Sequence, residues 1–163
     1  MNNIQIIFPA GNYDNCDAYE AVLTYVSNKQ FISGYGIPLP VTRNSSIISF
    51  YKAEATSKHI SSRYIWHFQI TFKERIKGTS SLLFLGNQIA FSFAHQYQVI
   101  YGLDTDTEHT HLHFAVNAYS YNPESKPLTK ELMDLYVKQI SDLIKAAYPY
   151  YNVETIWKKK GSF

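Results

Sequence analysis

Three of the chain's six histidines fall at alternate places in one short stretch, TEHTHLHFAVN, residues 107–117. In a β-strand, side chains at i, i+2 and i+4 share a face, so a strand here puts His109, His111 and His113 in one stripe. The preceding run, QYQVIYGL (96–103), is rich in β-branched and aromatic residues and also reads as a strand. Only the acidic DTDTE separates the two, and strands joined by so short a turn pair antiparallel. The chain is therefore committed to a hairpin with imidazoles on one face. Imidazole is the commonest protein metal ligand, and a carboxylate from Asp104, Asp106 or Glu108 can join two imidazoles to complete a shell. Such mixed sites suit Mn²⁺, Fe²⁺ or Zn²⁺ better than Mg²⁺. With two or three protein ligands, positions stay open for a substrate oxygen. Asn117 lies on the same face, where a strand-end hydrogen-bonding role serves it equally well.

The rest of the chain supplies layers for that hairpin. Residues 4–8 and 64–72 (YIWHFQITF) read as strands, and 152–157 adds a short one. Helical spacing predicts helices over 18–29 with Asp17 as N-cap, 45–58, 79–94 and 127–147. The last has Leu128, Leu132, Leu135, Ile140 and Ile144 as its apolar members. SGYGIPLP (33–40) reads as a loop. This order gives one α+β domain with helices packed on a partly antiparallel sheet. With 163 residues, 45% hydrophobic and 17% charged, the chain suits a single ordered core. Its net charge of +2 excludes a whole-protein positive field, so any nucleic-acid contact must come from local groups such as Lys29, Arg43, Lys58, Arg63 and Arg75. The basic tail, 158–163, is a further source. Cys16 is the single cysteine, so no internal disulfide forms. No signal peptide and no run of ~20 apolar residues is present. The expectation is a soluble cytoplasmic protein with no membrane partner.

Two residues outside the hairpin gain meaning together with it. His67 is mid-strand in YIWHFQITF, and Tyr25 is one helical turn before Lys29. Taken alone, each is an ordinary packing residue. Taken with IYGLDTDTEHTHLHFAVN, they resemble the motifs of the MobA-type mobilisation relaxases, plasmid-transfer nucleases of the HUH superfamily. The third motif of that family is reproduced from Asp106 through Glu108, His109, His111, His113 and Phe114 to Asn117. AVLTYVSNK is similar to the first motif, whose tyrosine maps onto Tyr25. YIWHFQITF resembles the second, with His67, Phe72 and Thr71 in place of the usual serine. The resemblance spans residues 4–153, and residues 1–157 form its nuclease domain.

That resemblance implies the HUH nuclease fold, a central, mainly antiparallel sheet with flanking helices. It implies strand-specific nicking of single-stranded DNA at an origin of transfer during conjugation, with accessory relaxosome proteins, in the bacterial cytoplasm. Tyr25 would attack the phosphodiester and keep the 5′ phosphate, with Asp106 beside it as a catalytic residue. His111 and His113 would hold a divalent ion, Mg²⁺ or Mn²⁺, with Zn²⁺ as a substitute. Lys29, His67, Arg75 and Asn117 would face the DNA. One departure stands out: Asp104 occupies the place of the family's first metal-binding histidine. The third ligand is then Asp104 or His109. Two other readings follow from the same residues. A transposase or replication initiator of the same superfamily would use Tyr136, which follows the histidine strand. A protein that has lost nicking would only bind DNA or metal.

Overall fold

The computed structural model describes residues 3–105 and 108–159. Along the chain run β1 (Asn3–Phe8), α1 (Asp17–Ser27), β2 (Phe31–Tyr35), α2 (Arg43–Thr56) and β3 (Ile65–Phe72). There follow α3 (Thr79–Phe93), β4 (Val99–Asp104), β5 (Thr110–Asn117), α4 (Lys130–Ala147) and β6 (Asn152–Trp157). The sheet order is β2-β4-β5-β3-β1-β6. Every neighbouring pair is antiparallel except β1 with β6, which run parallel. The β4–β5 hairpin forms as expected, in a register that sets Gly102 opposite His113 and Asp104 opposite His111.

Strand alternation sorts the two faces. On β3, the buried residues Trp66, Phe68, Ile70 and Phe72 join Leu85 and Ile140 in the core beneath α3 and α4. The intervening His67, Gln69 and Thr71 point the other way. On that second face, Tyr19 and Leu23 of α1 and Phe50 of α2 pack on Ile65, Ile100 and Ala115. Further along the same face, Gln5 of β1 donates to Glu154 of β6 at 2.6 Å in an exposed pair. The histidine stripe thus sits where a helix-covered half of the sheet meets an open, polar half.

Several local expectations change. Asp17 is the first residue of α1 rather than its cap; Cys16 is the N-cap, and Asn15 Oδ1 accepts the Asp17 N–H at 2.9 Å. α2 begins at Arg43 because Thr42 and Ser45 make a reciprocal capping box. Part of the expected loop is an edge strand, β2, whose ladder to β4 overrides the weak strand propensity of SGY. In α4 the buried stripe is Met133, Ile140 and Ile144, whereas Leu132 and Leu135 are exposed. Leu128 is buried ahead of the helix, and its carbonyl accepts Trp66 Nε1–H at 2.8 Å. Among the described residues no helix is long and apolar enough to cross a membrane.

Candidate active site

The last turn of α1 carries Tyr25 over the histidine stripe. Val22, Leu23 and Val26 are buried against the sheet, which fixes the roll of the helix and leaves Tyr25 on its flank, 45% exposed. Its ring meets His67 edge-on at 5.4 Å between centroids and His113 at 5.2 Å. Lys29 follows the C-cap Asn28, and its Nζ lies 3.9 Å from the Tyr25 ring centroid. This approach depends on Gly102 of β4. A Cβ there would stand 2.7 Å from the Val26 carbonyl oxygen and 2.9 Å from Cβ and Cγ of Lys29. A glycine in a strand interior often marks such a close passage.

The imidazoles below Tyr25 are neutral. Burial holds His113 down at about 3, with the Lys29 charge adding to the effect. His67 is lowered to about 4 by burial, then by the charges of Lys29 and Arg63. His111 is also lowered by burial, while the carboxylate of Asp104 pulls it back up. Both His67 Nε2 and His113 Nδ1 are buried with no hydrogen-bond partner among the described residues. A buried, unsatisfied nitrogen is unfavourable unless something outside the protein completes it. His111 is held differently: its Nδ1 lies 3.2 Å from Thr71 Oγ1, which also accepts from Gln69 Nε2 at 3.1 Å.

This donor set fits a divalent ion. The His111 and His113 rings are 5.7 Å apart between centroids, neutral, and lie on one face of β5. Thr71 at Nδ1 of His111 is the kind of outer partner that orients a ligating imidazole and leaves its Nε2 for a metal. Among the described residues no group of three His, Cys, Asp or Glu side chains closes around one point. The fit is therefore an open site of two imidazoles, with positions left for oxygen ligands. His109 is exposed, 6.4 Å from His111 between ring centroids, and Asp104 is paired with His111 across the hairpin.

The remaining expected site residues divide. Asp106 lies outside the described residues. Arg75 is exposed in the loop after β3, which returns to the histidine end of β5 through the Thr110 N–H to Glu74 carbonyl bond. Asn117 shares the histidine face and is fully buried under α1 and α2. Its Oδ1 accepts from Tyr19 Oη at 2.9 Å and from the Tyr119 N–H at 3.1 Å. Its Nδ2 donates to Gln98 Oε1 at 3.0 Å and to the Phe50 carbonyl at 3.2 Å. Tyr136 is on α4, stacked on Phe93 at 4.4 Å in the layer on the opposite face of the sheet from the histidines. The sequence did not flag Thr71 as the partner of His111, nor Gly102. The mid-strand glycine of IYGLD was the available signal for the latter.

A tyrosine thus stands over an imidazole pair, on a mainly antiparallel sheet flanked by helices. A protein-family model, "Relaxase: MobA/VirD2-like, nuclease domain", matches residues 25–148. The match begins at Tyr25 and takes in β3, both hairpin strands and α4. The chain belongs to that family, and with it to the DNA-nicking nuclease domains. Comparison with curated proteins and with solved structures gives no match.

Proposed function

We propose that the protein is a relaxase that cuts one DNA strand through Tyr25 and keeps the 5′ end as a phosphotyrosyl ester. The observation that carries this reading is the placement of the Tyr25 ring within 5.4 Å of His67 and 5.2 Å of His113. These three side chains come from α1, β3 and β5, far apart in sequence.

The chemistry balances without a further reactant. The Tyr25 oxygen forms a bond to phosphorus, the bond to the 3′ oxygen breaks, and the phenolic proton ends on that leaving oxygen. An ester of tyrosine retains the energy of the broken phosphodiester, so the reverse attack by a 3′ hydroxyl rejoins the strand. A phosphodiester is anionic, so an approaching phenolate needs that charge offset. His111 and His113 would hold a divalent ion, which would supply this charge neutralisation. Neutral His67 lies beside Tyr25, its buried Nε2 unpartnered among the described residues. The half-exposed Tyr25 is reachable by an unpaired strand laid on the open half of the sheet. We assign the substrate as single-stranded DNA at an origin of transfer, with Mg²⁺ or Mn²⁺ as the ion. The Tyr136 reading is not favoured, because its ring lies across the sheet from the imidazoles.

The test is a denaturing gel. The protein is incubated with labelled single strands tiling a candidate origin, with Mn²⁺ or Mg²⁺. A covalent adduct that vanishes in Tyr25→Phe and survives in Tyr136→Phe is the expected result. An adduct that persists in Tyr25→Phe sinks the reading.

A further inference from the structure

A second feature lies at the other end of β3. A cavity of about 700 Å³ opens between the loop 11–14, the loop 61–63 and the start of α4. Arg63 lines it, with its guanidinium carbon 3.8 Å from the Trp66 ring centroid and 4.4 Å from that of Tyr13. We propose that this cavity is a phosphodiester subsite, gripping the DNA strand a few nucleotides from the bond that Tyr25 attacks. The proposal rests on the nickase reading for the identity of the strand.

Arg63 has no carboxylate bonded directly to it among the described residues, where the ion pairs are Arg43–Glu20, Lys58–Glu124 and Lys130–Asp134. Its Nε donates to the Ile65 carbonyl at 2.8 Å, and among the described residues no acceptor takes its Nη1 or Nη2. Burial draws its pKa down to about 10, which still leaves it charged. A desolvated charge with no directly bonded counter-ion is unfavourable, and an arriving anion removes that penalty. With aromatic rings over the guanidinium and Nε tied to the backbone, the two Nη groups form a fixed fork suited to a phosphate.

Location and charge select the ligand. Arg63 is four residues ahead of His67, about 13 Å along an extended chain, and its charge reaches His67. A strand held at Tyr25 can therefore extend to it. The first turn of α4, capped by Thr129 at Leu132 N–H, faces the same cavity with its positive dipole end. Lys130, Asp14 and Glu131 also line the cavity, so its formal charges balance before a strand arrives. That balance favours a singly charged diester over a dianionic free phosphate.

The experiment uses Tyr25→Phe protein, which cannot form the covalent product, and fluorescence polarisation with a labelled single-stranded oligonucleotide across a salt series. Arg63→Gln should weaken binding about tenfold and reduce the slope of log K against log salt by about 0.7, the value for one lost phosphate contact on a single strand. Arg63→Lys should fall in between. Because Arg63 also packs between rings, Ser62→Glu serves as a second variant. It adds a carboxylate to the cavity wall without removing packing, and it should match Arg63→Gln while melting at the wild-type temperature. Unchanged affinity and slope in both variants overturns the proposal. So does competition by millimolar inorganic phosphate against the oligonucleotide, which would mark a free-anion site. Adduct formation by the wild-type protein is read separately. Its absence alongside Arg63-dependent binding would sink the nickase reading and leave the subsite standing.

Discussion

The ammonium of Lys29 lies 3.9 Å from the centre of the Tyr25 ring, so the proposed nucleophile carries its own cation. The same charge presses down the pKa of His67, His111 and His113. Fixed positive charge beside a reacting oxygen acts mainly on the transition state. Lys29→Ala should slow adduct formation about 100-fold at saturating DNA, with a much smaller loss of affinity. Lys29→Arg should recover part of the rate. Single-turnover quench kinetics would show this, and an affinity loss with the rate intact would reduce Lys29 to an ordinary phosphate contact.

Thr71 bridges Gln69 and His111 from within the sheet, 6% exposed. Removing such an outer partner commonly lowers metal affinity 10- to 100-fold. Thr71→Val should therefore weaken Mn²⁺ binding by about tenfold or more in titration calorimetry, and Thr71→Ser should retain it. Equal affinity in all three proteins would show that the bond does not tune the site.

Asn117 joins α1, α2 and Gln98, just ahead of β4, to β5 through three buried hydrogen bonds, with a fourth to the Tyr119 N–H. Asn117→Leu leaves the Tyr19 hydroxyl and the Gln98 side chain short of a partner, which costs on the order of 2–4 kcal/mol of stability. Denaturant unfolding measures this directly. Binding of single-stranded DNA should keep its salt slope, because Asn117 is nowhere near the surface.

Acid should destabilise the metal-free protein through His67 and His113. The folded state lowers both from 6.5, to about 4 and about 3. Unfolded imidazoles take up protons first as pH falls below 6.5, so the stabilisation is complete above that value and is lost on the way down to the folded values. His67 alone accounts for up to about 3 kcal/mol by the time pH 4 is reached. Melting temperatures in chelator-treated samples should fall between pH 6.5 and 4, and His67→Gln should flatten the curve. An identical curve in that variant would rule out the titration of His67 as a cause.

The hairpin and its imidazole stripe were legible because period-two spacing leaves no other way to place His111 and His113. Tyr25 was legible only through the likeness of LTYVSNK to a motif, since nothing near it in sequence sets it above His67. For Asn117 the alternation rule gives a face but not what covers that face. Here α1 and α2 cap the far end of the stripe, and Asn117 is buried beneath them as a hydrogen-bonded hub. Strand β2 was hidden because its pairing with β4 is a long-range fact, while SGYGIP carries only turn chemistry. Leu132 and Leu135 show the same limit in α4, where tertiary packing set Met133 beside the expected Ile140 and Ile144.

Gly102 gives the last consequence. Where α1 crosses β4, only a hydrogen fits between the strand and the chain from Val26 to Lys29. The clearance at this point sets how high Tyr25 rides above His113, the residue directly across the ladder from Gly102. A single methyl group at that spot would act as a shim against the Val26 carbonyl and the Lys29 stem, lifting nucleophile and cation together off the imidazoles. The working distance of the site is thus gauged by a residue that has no side chain.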